Sequence, residues 1–203
     1  MFAELPAELE HTMIRSFIAI DLPEETRKTL AVLQEKLKQS RARVRWVRAN
    51  SVHLTLKFLG NIHPDQVDDI AAVTAQTVRN EAPLTLRAAR LGAFPSQRNP
   101  RVIWVGIEGE VKRLAHIQTR LENDLVVLGF PHERRGFRAH LTLGRVKDKR
   151  DCQALIAAMA ELKIPEFDSF DVTEIILYKS DLRPTGAIYT KLHRMPLAAP
   201  ASL

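Results

Sequence analysis

The chain repeats one tetrapeptide, within RWVRANSVHLTLKFLG at residues 45–60 and FRAHLTLGRV at residues 137–146. The repeated unit is His-Leu-Thr-Leu, at residues 53–56 and 140–143. Side chains alternate between the two faces of a β-strand, so in each copy the histidine and threonine share one face while the leucines point into a core. Each copy precedes a turn and a predicted helix. The pattern indicates a duplicated unit whose copies face each other across a pseudo-twofold axis.

The flanking sequence predicts further strands and helices on both sides of each copy. Apolar alternation predicts strands at 14–21, 43–47, 52–59, 84–91, 101–108, 138–146, 170–178 and 186–193. Apolar residues three and four apart predict helices at 24–40, after Pro64, at about 110–127 and near 151–162. Hairpins beside helices, rather than strict alternation, favour an α+β fold with largely antiparallel sheets.

Composition limits the class of protein. The chain has 203 residues, 45% hydrophobic and 27% charged, which suffices for a domain with a buried core. Lys and Arg number 30 against 24 for Asp and Glu, and the net charge of +6 favours an anionic partner. The single cysteine, Cys152, excludes an internal disulfide and a multi-cysteine zinc site, and it suits a reducing cytoplasm. No apolar run approaches the roughly 20 residues that span a bilayer.

The two ends of the chain look different from its middle. Residues 1–13 lack the basic and apolar regions of a secretion signal and are expected to form a loose extension. Residues 14–194 are expected to form a single domain, and residues 195–203 a loose tail.

The shared face of the two motifs suits phosphoryl chemistry. Lys57 follows the first motif and Arg138 precedes the second with the same strand parity as the histidines, so a cleft between lobes would hold two imidazoles, two hydroxyls and two cations. Imidazole titrates near neutral pH, so one ring can accept a proton while the other donates one. Hydroxyls and cations can hold phosphate oxygens. This chemistry requires no metal, and the remaining histidines show no metal-ligand spacing.

The chain resembles the 2H phosphoesterase superfamily, which is defined by two such histidine-threonine motifs. Within it, the chain resembles the bacterial RNA 2′,3′-cyclic phosphodiesterases, also called 2′-5′ RNA ligases. Besides the two motif segments, the resemblance rests on RSFIAIDLP at residues 15–23 and LYKSDLRPTGAIYTKLHR at residues 177–194. It extends from about Ile14 to Arg194, and Ala139 departs from it where relatives commonly have proline.

The resemblance implies two pseudo-symmetric lobes whose antiparallel sheets line a central groove, with helices on the outer faces. It implies hydrolysis of a 2′,3′-cyclic phosphate to a 2′-phosphomonoester, with His53 as proton donor and His140 as proton acceptor. Thr55 and Thr142 match the phosphate-binding positions. The expected partner is RNA ending in a 2′,3′-cyclic phosphate, and the expected protein is a monomer with no cofactor, no metal and no membrane association.

Further candidates for substrate binding lie outside the motifs. Phe17 is an apolar strand residue and is expected in the core, although relatives place an aromatic residue near the groove at this position. Trp46 and Phe58 can stack on a base, but Phe58 has the parity of the core leucines and is expected to be buried. Ser180 and Tyr189 match the closing segment of the family. Basic runs stand before both motifs and are candidates for RNA backbone contacts: Arg41, Arg43, Arg45 and Arg48, then Arg134, Arg135 and Arg138.

Two other functions fit parts of the pattern. The same chemistry could act on a small cyclic nucleotide or an ADP-ribose cyclic phosphate, although the basic runs favour RNA. The chain could also be a catalytically silent RNA-binding module, against which both complete motifs argue. The active site acting in reverse would join a cyclic phosphate end to a 5′-hydroxyl.

Overall fold

A computed structural model of the chain describes residues 13–148, 152–184 and 186–198. The strands in these residues are β1 Ile14–Ile20, β2 Val44–Trp46, β3 Leu54–Ile62, β4 Leu84–Ser96, β5 Asn99–Gly109, β6 His140–Val146, β7 Ser169–Val172, β8 Glu174–Arg183 and β9 Gly186–Pro196. The helices are α1 Glu24–Lys38, α2 Gln66–Val78, α3 Val111–Asp124 and α4 Cys152–Glu161. The expected loose segments, 1–13 and 195–203, lie mostly outside the described residues, but β9 extends to Pro196 and Leu197 is buried.

The strands form one sheet with the order β7-β4-β5-β6-β3-β1-β8-β9, and β2 pairs with β6. Every pairing is antiparallel. The two motif strands, β3 and β6, are neighbours in the middle of this order. The fold class predicted from the sequence is therefore confirmed, with the two lobes formed as halves of one sheet that meet at β3 and β6.

The two repeats exchange strands: the last strand of each repeat lies in the half of the sheet that contains the motif strand of the other repeat. The first repeat runs β1-α1-β3-α2-β4, and its last strand, β4, pairs with β5. The second repeat runs β5-α3-β6-α4-β8, and its last strand, β8, pairs with β1. The strand predicted at 170–178 is two strands that part at Thr173: β7 pairs with β4 in one half, and β8 pairs with β1 in the other. A local pattern shows alternation but not which neighbour a strand has, so the sequence could not reveal this division.

Each motif strand contains a bulge directly after its threonine. Against β1, Ile18 pairs with Lys57 and Ala19 with Thr55, so Leu56 has no partner. Against β5, Ile103 pairs with Gly144 and Trp104 with Thr142, so Leu143 is skipped in the same way. A bulge places two consecutive residues on one side of the strand, and both residues are buried in each pair, Leu56–Lys57 and Leu143–Gly144.

A buried glutamine from a helix contacts each bulge. Gln34 of α1 donates through Nε2 to the carbonyl oxygens of Leu143, at 2.9 Å, and Val47, at 2.8 Å. Gln118 of α3 donates to the carbonyl oxygen of Leu56 at 3.4 Å. Because a buried carbonyl without a partner is unfavourable, these amides stabilise the backbone where the ladder is interrupted.

The main core lies between the helices and one face of the sheet. The motif leucines belong to the same buried cluster as the apolar stripes of α1 and α3, which include Leu30, Leu33, Leu37, Leu114, Ile117 and Leu121. Burying such a side chain contributes roughly 1.5–3 kcal/mol. The histidines and threonines of the motifs consequently lie on the opposite face of the sheet, which lines the groove. No helix in the described residues is long and apolar enough to cross a membrane.

Candidate active site

Both motif histidines are held by a hydrogen bond to the backbone two residues earlier. His53 Nδ1 donates to the carbonyl oxygen of Ser51 at 2.9 Å, and His140 Nδ1 donates to that of Arg138 at 2.6 Å. A carbonyl oxygen can only accept, so Nδ1 carries the proton, and the neutral ring presents Nε2 as an acceptor. The two repeats thus fix the same tautomer by the same contact.

The register of the central strands brings the two motifs together. Leu54 pairs with Leu141 in an antiparallel arrangement. His53 and Thr55 flank this pair on one side, and His140 and Thr142 flank it on the other. All four side chains are partly exposed. The residues that the sequence placed on one shared face therefore meet where the halves of the sheet join.

Three aromatic rings surround the imidazole of His53. Phe17, which is 3% exposed, stacks on it with ring centroids 4.5 Å apart, and Tyr178 stacks on Phe17 at 5.2 Å. Tyr189 meets the imidazole edge-on at 5.0 Å and Phe17 edge-on at 5.1 Å. Phe17 thus lies beneath the groove and restricts the plane of the imidazole.

The imidazole of His140 has its own aromatic neighbours. Phe94 meets it edge-on at 5.1 Å, and Trp104 lies 6.5 Å away. The Arg138 guanidinium stands over the Phe94 ring, with its carbon 5.7 Å from the centroid. Neither Phe94 nor Trp104 was among the candidates. Alternation in the strand predicted at 101–108 could have placed Trp104 on the groove face, opposite Ile103 and Val105.

Burial changes the proton affinity of two groups in the groove. Burial lowers the pKa of His53 from 6.5 to about 4, although its hydrogen bond to Ser51 and the charge of Asp21 both favour the protonated ring. His53 is therefore neutral at pH 7 in the free protein. Burial raises the pKa of Tyr189, against the effect of three nearby arginines, so its hydroxyl stays protonated.

A carboxylate group behind His53 has several partners. Asp21 accepts hydrogen bonds from Arg27, from Lys191 and from the backbone N–H of Leu22. These side chains and His53 line a pocket of about 240 Å³. Asp21 follows β1 directly and lies within electrostatic reach of the imidazole. It was not a candidate, because a single Asp before Leu-Pro carries no distinctive spacing.

Lys57 is not in the groove, contrary to the expectation. It is 2% exposed and donates through Nζ to Glu122 Oε2 at 2.6 Å and to the carbonyl oxygen of Pro131 at 2.9 Å. The bulge after Thr55 reverses the alternation, which turns Lys57 into the core and Phe58 outward. Phe58, expected to be buried, is 54% exposed and lies 6.2 Å from Phe17.

Of the other candidates, Trp46 lies on the core side of the sheet, whereas Ser180 and Arg138 lie beside the groove. Trp46 packs against the main core beside Gly144, on the side of β2 opposite the exposed Arg45. Ser180 is buried and pairs with Tyr189 across β8 and β9, so it shares the groove face with that ring. Arg138 is exposed beside His140. Over the described residues, no three His, Cys, Asp or Glu side chains are grouped so as to hold a metal ion.

One family model matches the chain twice. The description "LigT like Phosphoesterase" fits residues 20–104 and again residues 105–189. The first match contains the first motif and the second match contains the second motif, and the boundary between them falls within β5. Two matches with one motif each agree with a duplicated architecture.

Similar proteins of known name extend over nearly the whole chain. A protein of Methanothermobacter thermautotrophicus named RNA 2′,3′-cyclic phosphodiesterase is 35% identical over 179 residues, which cover 88% of this chain and 96% of that one. A Thermotoga maritima protein of the same name is 33% identical, with coverage of 89% and 94%.

Solved structures similar to this chain include those of two bacterial proteins. TT0787 of Thermus thermophilus is 28% identical with a TM-score of 0.75, and the match covers 92% of this chain and 99% of that one. E. coli LigT in complex with 3′-AMP is 27% identical with a TM-score of 0.72, and the match covers 91% and 98%.

Proposed function

Because the chain belongs to the LigT-like phosphoesterase family, we propose that it hydrolyses RNA 2′,3′-cyclic phosphate ends to 2′-phosphomonoesters. The observation that carries the proposal is the placement of the two tethered imidazoles on neighbouring strands around the Leu54–Leu141 pair. Two proton-transfer groups that meet at one groove suit an in-line displacement at phosphorus, in which one oxygen gains a bond while another loses one. The relatives named RNA 2′,3′-cyclic phosphodiesterase support this substrate.

The proposed reaction divides the proton transfers between the two histidines. His140 Nε2 takes a proton from water while the water oxygen bonds to phosphorus. The bond from phosphorus to O3′ breaks, and His53 Nε2 gives its proton to O3′. The hydroxyls of Thr55 and Thr142 donate hydrogen bonds to the non-bridging oxygens and favour the charge of the transition state. The product carries a 2′-phosphomonoester and a 3′-hydroxyl.

The acid role of His53 depends on the bound substrate. With a pKa of about 4, the free imidazole holds a proton in only a small fraction of molecules at pH 7. The cyclic phosphate is an anion, and an anion beside an imidazole raises its pKa. Substrate binding consequently brings the proton to His53, and its burial then makes this imidazolium a strong donor.

The same groove could also act as a ligase. If a 5′-hydroxyl of RNA takes the place of the water, His140 removes the proton of that hydroxyl as its oxygen bonds to phosphorus. The bond from phosphorus to O3′ breaks, O3′ takes its proton from His53, and a 2′-5′ linkage results. This step has the same atom balance as hydrolysis, with the nucleophile changed. We include it in the proposal as the secondary activity.

A small cyclic nucleotide is the second candidate substrate. Its support is the groove chemistry itself, which acts on the cyclic phosphate and not on the rest of the RNA. Exposed arginines on the groove face favour the longer chain. Rates on a cyclic mononucleotide and on a cyclic-ended oligonucleotide, measured across salt concentrations, separate the two: backbone contacts make the affinity for RNA fall steeply with salt.

Hydrolysis in excess chelator tests the proposal. The wild-type protein is incubated with an oligonucleotide ending in a 2′,3′-cyclic phosphate, with and without the chelator, and the terminal phosphate is identified by ³¹P NMR. Turnover to the 2′-phosphate in chelator supports the proposal and excludes both the silent RNA-binding module and a metalloenzyme. Activity that disappears in chelator and returns with added metal would overturn the mechanism.

A further inference from the structure

Two arginines face each other across the strand pair beside the groove. Arg45 of β2 pairs directly with Arg145 of β6, and both are exposed. Their neighbours Val44 and Val146 pack against the main core, which leaves both arginines on the groove face. Like charges directly opposed across strands are unfavourable. Two arginines in this position, with no carboxylate in the described part of the chain paired to either to offset their repulsion, are suited to binding an anion.

A third arginine and a tyrosine complete this cluster. Arg15 is exposed on β1, two residues before Phe17 and on the same face of that strand. The charges of Arg15, Arg45 and Arg145 all act on the hydroxyl of Tyr189. In the described ranges 13–148, 152–184 and 186–198, none of these three arginines forms an ion pair with a carboxylate.

Tyr189 connects the cluster to the reacting groups. Its ring lies edge-on to the imidazole of His53 at 5.0 Å. The start of β9 also approaches the segment that follows β2, because a Cβ on Gly186 would lie 3.7 Å from Arg48 Nε. The cluster therefore draws cations from both halves of the sheet to the His53 side of the groove.

The proposed reaction fixes where the nucleoside lies, and this inference rests on that proposed function. O3′ leaves toward His53, and the ribose that carries O3′ must lie on the same side of phosphorus. Water attacks from the opposite side, near His140. The phosphate on the 5′ side of the terminal nucleotide is then the next anion along the chain, and Tyr189 with its arginines lies on the same, His53 side of the groove.

We propose that Arg145, together with Arg45 and Arg15, binds the phosphodiester on the 5′ side of the terminal nucleotide. Guanidinium groups suit this role because they donate paired hydrogen bonds to phosphate oxygens. The contact makes the enzyme select an RNA end over an isolated nucleoside cyclic phosphate. It carries no base specificity, because every internal nucleotide has the same phosphate.

A dinucleotide with one altered linkage isolates this contact. The substrates are ApA with a 2′,3′-cyclic phosphate end and the same molecule with a methylphosphonate linkage, which removes the charge and keeps the two bases. We expect wild-type kcat/KM to be at least about tenfold higher on the phosphodiester, the fold-change typical of a hydrogen bond to a charged group. Arg145→Gln is expected to bring the ratio of the two values toward one.

Control variants separate charge at the groove from charge elsewhere. Arg79→Gln makes the same change at the exposed end of α2 and is expected to keep the wild-type ratio. Arg145→Lys keeps the charge without the guanidinium fork and is expected to give an intermediate ratio. Thermal unfolding of each variant verifies that it is folded, and Arg45→Gln makes the same test if Arg145→Gln does not fold.

The outcomes distinguish this inference from the proposed function. Hydrolysis of neither dinucleotide by the wild-type protein would overturn the proposed function. Hydrolysis of both with equal kcat/KM would overturn the arginine inference and leave the proposed function intact. A wild-type preference that Arg145→Gln and Arg45→Gln both retain would also overturn it, because another group would then bind the phosphate.

Discussion

Leu54 of β3 and Leu141 of β6 lie directly opposite each other and are both fully buried, so the two copies of the tetrapeptide meet at their second residues. The pseudo-twofold axis passes through this pair. The leucines hold the motif strands to the core, and the imidazoles on the other face are consequently fixed relative to each other by backbone pairing. Four expected outcomes follow from the positions of individual side chains.

A substrate whose leaving group needs no proton is expected to distinguish the acid role of His53 from the base role of His140. His53→Ala and His140→Ala should each lower kcat by about 100-fold or more, because positioned acid and base groups commonly contribute 10²–10⁴-fold. A substrate with sulfur in place of O3′ releases a thiolate that needs no proton. Steady-state rates on this substrate should recover in His53→Ala and not in His140→Ala. Recovery in His140→Ala instead would show that His140 is the proton donor and His53 the proton acceptor.

Phe17 is expected to position the imidazole of His53 through their stacking contact. Phe17→Leu should lower kcat more than it raises KM, because it loosens a reacting group without removing a phosphate contact. Greater access of water should also raise the pKa of His53 from about 4 toward 6.5, which NMR titration of the imidazole measures. Phe137→Leu, a partly buried ring beside the main core, is the matched control. An unchanged pKa would show that Phe17 only fills space.

Lys57 is expected to act in stability and not in substrate binding. Lys57→Met leaves the buried Glu122 carboxylate without its cation and should lower the free energy of unfolding by about 3–5 kcal/mol. Lys57→Met combined with Glu122→Gln removes the uncompensated charge and should recover part of that loss. Denaturant unfolding measures both. If Lys57→Met has normal stability and a raised KM for RNA, Lys57 contributes to substrate binding and the prediction is wrong.

The desolvation of the His53 imidazole is expected to make stability depend on pH. The pKa is about 4 in the folded state and about 6.5 when unfolded, so the unfolded chain binds the additional proton between these values. The stability due to the neutral ring is present above pH 6.5 and is lost as pH falls through 4, by on the order of 3 kcal/mol. Unfolding of wild type and His53→Gln at pH 7, 5.5 and 4 isolates this contribution. Parallel pH dependence in the two proteins would contradict the lowered pKa.

Much of the fold could be read from local patterns. In the part of the chain that the structure describes, alternation and helical spacing identify all four helices and seven of the nine strands as single segments, because both patterns report which face of an element is apolar. The strand predicted at 170–178 is the exception. Its two parts have the same alternation but different neighbours, and the choice of neighbour depends on distant strands.

Some residues of the site could also be predicted from local patterns, and others could not. The repeated His-x-Thr alternation placed His53, Thr55, His140 and Thr142 on one face, and the structure brings these residues together at one junction. Lys57 was misplaced because a bulge adds a single residue to the ladder, which no period-two pattern records. Phe94, Trp104 and Asp21 were missed because their closeness to an imidazole arises only when separate strands pair.

The repeat, the chemistry of its side chains and the face on which they lie follow from the sequence, since these depend on spacing within one strand. Only the folded chain shows that the two motifs pair around Leu54 and Leu141, that the bulge turns Lys57 inward, and that Arg45 lies opposite Arg145. These relationships join residues far apart in the chain. They are fixed by backbone hydrogen bonding between strands and by burial against the helices, which act only once the chain has folded.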